Sequence, residues 1–409
     1  MKHDNLFVTL DDVSLSGKRV LVRVDFNVPV RNGKITDDAR IRACLPTISR
    51  VLQSGARLIL MSHMGRPKEG KFDPAASLSL VAEHLAEITG EKVSFVSDWA
   101  NLDQPGNDGI VLLENVRFQA GETKNDEQLA RKMAAMCDIY VNDAFAAAHR
   151  THASTYGVAQ FAQVACAGPL MVREMEVLTV AFKKPARPMI AIVGGSKVSS
   201  KLNILKSLLD RVDQLIIGGG IANTFLKASG INIGSSLCED ELLNSATEIM
   251  KMAKDQGKRL PLPTDVICGT TVSDYAVATV KSIHDISADD MILDIGPETA
   301  RSYAHALLQA KTIIWNGPLG VFEIEQFSQG TGIVANAIAD STAFSVAGGG
   351  DTLAAIAKFG IAPKLSYITT AGGAFLEFLE GKTLPAIAIL EQRAHEWHIQ
   401  TTDRVHSRS

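Results

Sequence analysis

Two groups of residues, one in each half of the chain, have the types and spacing to bind anions. In the second half, Gly194-Gly195-Ser196-Lys197-Val198-Ser199-Ser200-Lys201 follows the apolar run Met189–Val193 and precedes Leu202, Leu205, Leu208 and Leu209 at helical spacing. The pattern predicts a strand-to-helix turn with Lys197 and Lys201 on one face of the first helical turn. Backbone N–H groups and the helix dipole already favour an anion there, and two lysines add to the pull. Phosphate is the natural occupant, although the spacing is not that of a P-loop, which requires Gly-Lys-Ser/Thr in sequence. Further glycine turns at Gly218-Gly219-Gly220, Gly348-Gly349-Gly350 and Gly372-Gly373 each separate an apolar run from a helical stretch. Several such turns at one sheet edge suggest a polyphosphate approached closely by backbone amides. Asp351 reads either as the N-cap of the helix that follows or as a carboxylate holding Mg²⁺ on nucleotide phosphates. Trp315 to Glu323 offers an apolar wall, with Glu323 either on ribose hydroxyls or on the surface.

In the first half, strict alternation along Val20 to Asn27 puts Arg23, Asp25 and Asn27 on one face. Both faces of a parallel strand are normally buried. A polar trio is therefore costly unless it is paired, as in an Arg23–Asp25 ion pair bracing the strand end, or reaches the crevice beyond the sheet. Arg40 falls in the first turn of a helix whose apolar stripe is Ile41, Leu45, Ile48 and Leu52, where a cation opposes the dipole. His63 and Arg66 follow the apolar run Leu58–Met61, Arg117 follows Ile110–Leu113, and Arg150 comes shortly after Ile139–Val141. The ends of parallel strands converge on one edge, so these cations converge too. A small, multiply charged anion held by guanidinium forks is the occupant such a group selects.

The elements that position these residues read as an α/β protein. A length of 409 residues predicts two domains. Apolar strands alternate with amphipathic helical stretches, which predicts mostly parallel sheets with helices on both faces. The first series runs Val20–Val24, Leu58–Met61, Val93–Val96, Ile110–Leu113 and Ile139–Val141. The second runs Met189–Val193, Gln214–Ile217, Met291–Asp294, Thr312–Trp315, Phe344–Val346 and Ser366–Thr369. Residues 1–170 are expected to form the anion-binding domain, 171–188 a hinge helix and proline-stiffened linker, 189–390 the nucleotide domain, and 391–409 a tail that packs on a surface or frays. The net charge of −4 argues against nucleic acid or a membrane surface as partner. No apolar run is long enough to span a bilayer. Five scattered cysteines form no Cys-x-x-Cys pair, and with the absence of an export signal they point to a reducing cytoplasm.

Taken together, these segments resemble the phosphoglycerate kinase family over nearly the whole chain. Arg23-Val24-Asp25-Phe26-Asn27-Val28-Pro29 is the most specific piece. It is joined in the family's order by Ser62-His63-Met64-Gly65-Arg66-Pro67, Gly194-Gly195-Ser196-Lys197-Val198, Trp315-Asn316-Gly317-Pro318 and Gly348-Gly349-Gly350-Asp351-Thr352. The resemblance implies two doubly wound, Rossmann-like domains facing each other across a cleft and closing about a hinge between Gly168 and Pro188. It implies that Asp25, Asn27, Arg40, His63, Arg66, Arg117 and Arg150 bind 3-phosphoglycerate or 1,3-bisphosphoglycerate. It also implies that Gly195, Lys201, Gly219, Gly220, Asn316, Pro318, Glu323, Gly349, Gly350, Asp351 and Thr352 bind ADP or ATP, with Mg²⁺ at Asp351. Arg40, Lys197, Lys201, Gly372 and Gly373 would surround the transferring phosphoryl group. A monomer is implied. A non-catalytic two-lobed anion binder is the alternative, and a nicotinamide-dependent dehydrogenase is disfavoured because no Gly-x-Gly-x-x-Gly follows an early strand. Two departures stand out: Ala146 occupies a position where the family usually has glycine, and Ala371 replaces the first glycine of a triplet.

Overall fold

Parallel strands dominate both halves of the computed structural model, which describes residues 6–99 and 109–406, with side chains through Thr401. The chain divides into two compact units, residues 1–175 with 383–409, and residues 176–382. The first unit carries β1 (Arg19–Arg23), a short hairpin of β2 (Val30–Arg31) and β3 (Lys34–Ile35), β4 (Arg57–Met61), β5 (Val93–Val96), β6 (Ile110–Leu113), β7 (Ile139–Asn142) and β8 (Val164–Ala167). Six of these strands form one all-parallel sheet in the order β5-β6-β4-β1-β7-β8. Val20, Val22, Leu58, Leu60, Ile110, Leu112, Ile139 and Val141 share one core face, as alternation requires. The C-terminal helix Pro385–His406 belongs to this unit: Ala394 lies in the same core, and Arg393 donates to the backbone oxygens of Gln160, Ala162 and Gln163.

The second unit has β9 (Met189–Val193), β10 (Gln214–Ile217), β11 (Asp265–Gly269), β12 (Thr279–Ser282), β13 (Met291–Ile295), β14 (Thr312–Asn316), β15 (Phe344–Gly348) and β16 (Tyr367–Thr369). Its parallel sheet runs β10-β9-β14-β15-β16, so the glycine turns after β9, β10, β15 and β16 all lie at its carboxyl edge. The strand at Met291 departs from the sequence expectation. It pairs antiparallel with β11, which also pairs antiparallel with β12 in a separate small sheet. The connection 270–278 between β11 and β12 is too short to hold the crossover helix that a parallel pairing needs, so these neighbours pair antiparallel.

Two close approaches show why glycine is required at the nucleotide-type edge. A Cβ on Gly194 would lie 1.8 Å from the Pro318 carbonyl oxygen, so only glycine lets the loops after β9 and β14 touch. Gly349, at φ +104°, turns the chain into the helix Gly350–Phe359 in a conformation costly to side chains. Ala146, by contrast, sits in the single 3₁₀ turn Phe145–Ala147 and is not among the residues of positive φ, so its methyl group strains nothing.

Asp294 joins the small sheet to the helical layer. It is buried, and it accepts hydrogen bonds from the amides of Gly330 (2.6 Å) and Ile295 (2.9 Å), the former in the first turn of the helix Gln329–Asp340. Burial pushes its carboxyl from 3.8 up to about 8, with the two amides opposing. The folded chain therefore holds a proton that the unfolded chain releases. This group's contribution to stability is full below pH 4 and is lost as pH rises toward 8, by about 1.4 kcal/mol per pH unit. In Asp294→Asn the amide facing the Gly330 N–H adds a constant offset, but the slope disappears. Urea midpoints of the two proteins, stepped from pH 5 to 8, should therefore converge as pH rises.

Candidate functional sites

In the first unit the loops after β1, β4, β6 and β7 bring the basic residues around His63. Arg23, at the end of β1, is 1% exposed: its Nε donates to Ser154 Oγ (3.1 Å), Nη1 to the Val24 carbonyl, and Nη2 to His63 Nδ1 (3.1 Å). The Arg23–Asp25 pair, one of the two readings open for this strand end, is not what forms. Asp25 instead accepts from Arg40 Nη1 (2.7 Å) and from the Asn27 amide (3.1 Å). Arg40 lies in the first turn of the helix Ala39–Gln53, so Asp25 supplies the negative charge that the dipole does not. Asn27 Oδ1 accepts from the Gly65 amide (2.9 Å), and Arg117 Nη1 donates to the Gly65 carbonyl, so the loop carrying Arg66 is held from both sides.

The electrostatics show that these cations converge. His63 is held well below its usual 6.5 by burial first, then by the guanidinium groups of Arg23, Arg117, Arg150 and Arg40. Burial, Arg150 and Arg23 depress Arg117 itself to about 10, with Arg66 adding to the effect. His149 and His152 are pushed down to about 4 by burial and then by Arg150. A guanidinium can only donate, so the Arg23 contact makes His63 Nδ1 an acceptor and places the imidazole proton on Nε2. His63 is a neutral hydrogen-bond donor. All seven residues expected to bind the small anion, Asp25, Asn27, Arg40, His63, Arg66, Arg117 and Arg150, thus belong to one network of contacts and fields.

In the second unit a buried polar lattice fixes the edge beyond β14 and β15. Lys201 Nζ donates to Asn316 Oδ1 (2.6 Å), and Asn316 Nδ2 donates to the Gly348 carbonyl (2.7 Å). Thr352 Oγ1 donates to the same carbonyl (2.8 Å) and accepts from the Gly317 amide (2.8 Å). Burial lowers the Lys201 ammonium, while the nearby Asp351 and Glu380 carboxylates raise it. Gly195 and Gly219 are in close approach, and Gly219, Gly349 and Ala371 precede the helices Gly220–Ala228, Gly350–Phe359 and Gly372–Leu379. Gly350 and Gly372 face open space. Asp351 is exposed in the first turn of its helix, and the residue before the helix, Gly349, is the N-cap. One exposed carboxylate beside backbone amides and a lysine fits Mg²⁺ arriving on nucleotide phosphates, because that ion keeps waters and takes few protein ligands.

Three expectations change here. The helix begins at Leu202, with Lys201 as its N-cap and Lys197 exposed on the preceding loop, because buried Val198 pins that loop. The two lysines therefore share a turn-forming loop rather than a helical face. Trp315 is no wall: alternation from Ile313 carries it into the core, where its indole N–H donates to the Gly317 carbonyl (2.9 Å). Phe322 and Leu319 are in the same core, leaving Glu323 exposed beyond them. Thr352 and Asn316 spend most of their hydrogen-bonding capacity inside the lattice, which makes them supports of the edge. Sequence reasoning missed Ser154 and Glu122 altogether. Nothing in their local spacing marks them.

A guanidinium cluster on one α/β unit and an amide-and-lysine edge at the glycine turns of another define an α/β phosphotransferase. The phosphoglycerate kinase family model matches residues 10–382. A phosphoglycerate kinase of Nitratidesulfovibrio vulgaris is 55% identical over 385 residues, 94% of this chain and 98% of that protein. The phosphoglycerate kinase structure from Coxiella burnetii superposes with a TM-score of 0.91 at 53% identity, covering 95% of this chain and all of that one. The structure from Pyrococcus horikoshii gives 0.79 at 32% identity, covering 95% and 99%. The chain belongs to the phosphoglycerate kinase family.

Depressed His63, His149 and His152 give a direct check. Each has a folded pKa below its unfolded value, so its share of stability is lost as pH falls below about 6.5. Proton NMR of the imidazole Cε1–H signals should show these three flat from pH 8 to 5.5. A midpoint near 6.5 for His63 would mean that the arginines do not converge on it.

Proposed function

We propose that the two clusters are the half-sites of a single phosphoryl transfer. As a member of its family the chain catalyses reversible transfer between 1,3-bisphosphoglycerate and Mg-ADP, giving 3-phosphoglycerate and ATP in glycolysis. The attacking groups, a carboxylate in one direction and an ADP phosphate oxygen in the other, are already ionised near neutral pH. No general base is needed, and the protein must supply alignment and positive charge. The observation that carries the residue assignment is the convergence of Arg23, Arg40, Arg117 and Arg150 on a neutral, buried His63.

In this reading Arg66, Arg117 and Arg150 bind the phosphate and carboxylate oxygens of the phosphoglycerate, His63 donates from Nε2, and Asp25 and Asn27 orient Arg40 and the Gly65 loop. Lys201, held by Asn316, meets the transferring phosphoryl group from the nucleotide side with Lys197 and the amides of Gly372 and Gly373. The amides at Gly195, Gly219, Gly220, Gly349 and Gly350 line the nucleotide, with Pro318 closing the loop against Gly194. Glu323 reaches the ribose, and Asp351 and Thr352 begin the helix whose N-terminus takes the phosphates, with Asp351 on the Mg²⁺. Because each substrate has its own domain, turnover requires a closure about the segment Gly168–Pro188, which also excludes water from the acyl phosphate. A monomer is part of this reading, as the family resemblance implies. A cytoplasmic setting agrees with five unpaired cysteines and, among the described residues, no helix long and apolar enough to cross a membrane.

Lys201→Ala and Arg40→Ala should each lower kcat by roughly 10²–10³-fold while leaving the far-ultraviolet spectrum intact, since each removes a charge needed chiefly in the transition state. A coupled ATP-formation assay measures this, and wild-type turnover in either variant removes that residue from the reaction. Small-angle scattering with 3-phosphoglycerate and an unreactive Mg-ATP analogue together should show a smaller radius of gyration than with either alone. Equal radii would count against closure.

A further inference from the structure

Glu122 is a fully buried carboxylate that the reaction does not use. It follows Gly121 on the segment after Arg117, and both of its oxygens are spent on one residue. Oε2 accepts from the Ser154 amide (3.0 Å), and Oε1 accepts from Ser154 Oγ (2.5 Å). The Glu122 carbonyl also accepts from the Ala153 amide (2.9 Å), so Glu122 ties down the start of the turn Ala153–Gly157, whose carbonyls at Ser154 and Thr155 accept from Tyr140 and Asn142.

Arg23 fixes its own two hydrogen bonds as donor, and the ionised Glu122 carboxylate fixes the third as acceptor. Arg23 Nε can only donate, so Ser154 Oγ must accept from it, and the single hydroxyl proton then goes to Glu122. The Arg23 Nη2 that remains donates to His63 Nδ1. We propose that Glu122 is a positioning residue of the phosphoglycerate half-site: acting through Ser154 and Arg23, it sets His63 in the tautomer that presents Nε2–H to substrate. This rests on the donor role proposed above for His63. Without Glu122 the Ser154 hydroxyl turns freely, so its lone pair is no longer held toward Arg23 Nε, and the guanidinium loses the fixed acceptor that aims its second N–H at His63.

Two physical effects of removing the carboxylate have opposite signs, which makes the proposal testable. Burial pushes the Glu122 carboxyl up, the Ser154 hydrogen bonds and the charges of Arg23 and Arg117 pull it back down, and Oε1 lies 3.7 Å from His152 Nδ1. If it acted only as a charge, Glu122→Gln would strengthen the positive field and lower KM for 3-phosphoglycerate. If it positions His63, the same change raises that KM by roughly tenfold, the scale of losing a hydrogen bond to a charged group, and leaves KM for Mg-ATP unchanged.

The experiment measures both KM values for wild type, E122Q, S154A and the double variant, together with the ¹⁵N shifts of the His63 imidazole. The expected result is a higher KM for 3-phosphoglycerate alone, a His63 tautomer mixture in either single variant, and a double variant no worse than the poorer single. A lower or unchanged KM in E122Q with the Nε2–H tautomer intact overturns the proposal. Tautomer mixing with unchanged KM preserves the hydrogen-bond chain but cuts it from substrate, which overturns the proposal and the donor role of His63 together. Should E122Q fail to fold, S154A decides by the same readouts, because it keeps the carboxylate and breaks the link.

Discussion

Like charges gathered in a water-poor place repel one another, and the first unit is organised around containing that repulsion. Arg23, Arg40, Arg117 and Arg150 act on His63, and Arg150, Arg23 and Arg66 act on Arg117, with Asp25 and Glu122 as the carboxyl groups among them. Backbone carbonyls of Val24 and Gly65 take up further guanidinium protons. The arrangement holds the cations apart and aimed without neutralising them. An incoming polyanion then relieves a cost already present in the fold, and the ligand stabilises the unit in proportion to how tightly it binds. Burial first, and then the same field, keep the neighbouring imidazoles neutral.

The second unit meets its anion by a different route. Lys201 is the cation tied into its buried lattice, and most of the attraction comes from amides presented at helix starts. Such donors are weak singly and depend on being held still. Asn316 and Thr352 do this by bonding the loops after β14 and β15 to the shared Gly348 carbonyl, and Gly194 does it by letting two loops touch. Donors fixed before the nucleotide arrives need no reorganisation when charge develops on the phosphoryl group.

What could be read from the sequence, and what could not, follows from where the information lies. Strands of the two parallel sheets announce themselves as short β-branched runs, and the cations after them had to converge because parallel strands share a carboxyl edge. The small antiparallel sheet was hidden because β12 is Thr279–Ser282, polar at three of its four positions and buried at none, so it carries no burial signature. Val164–Ala167 was hidden by its small side chains. Lys197 and Lys201 looked like one helical face because their spacing is four, yet the helix starts after them. Trp315 could have been placed from the parity of Ile313. Glu122 and Ser154 were illegible for a different reason: they are far apart in sequence, neither sits in a motif, and their importance exists only once β1 and the turn after β7 are neighbours.

The first unit is assembled from both ends of the described chain, whereas the second is one continuous stretch. During synthesis on a ribosome the order of completion is therefore inverted. Residues 176–382 emerge with everything their own core needs, while the earlier-made β-sheet must wait for the helix Pro385–His406, which supplies Ala394 and the Arg393 clasp on the Gln160–Gln163 segment. A ribosome-stalled or C-terminally nicked product would therefore keep residues 176–382 whole while the first unit lacked its last helix.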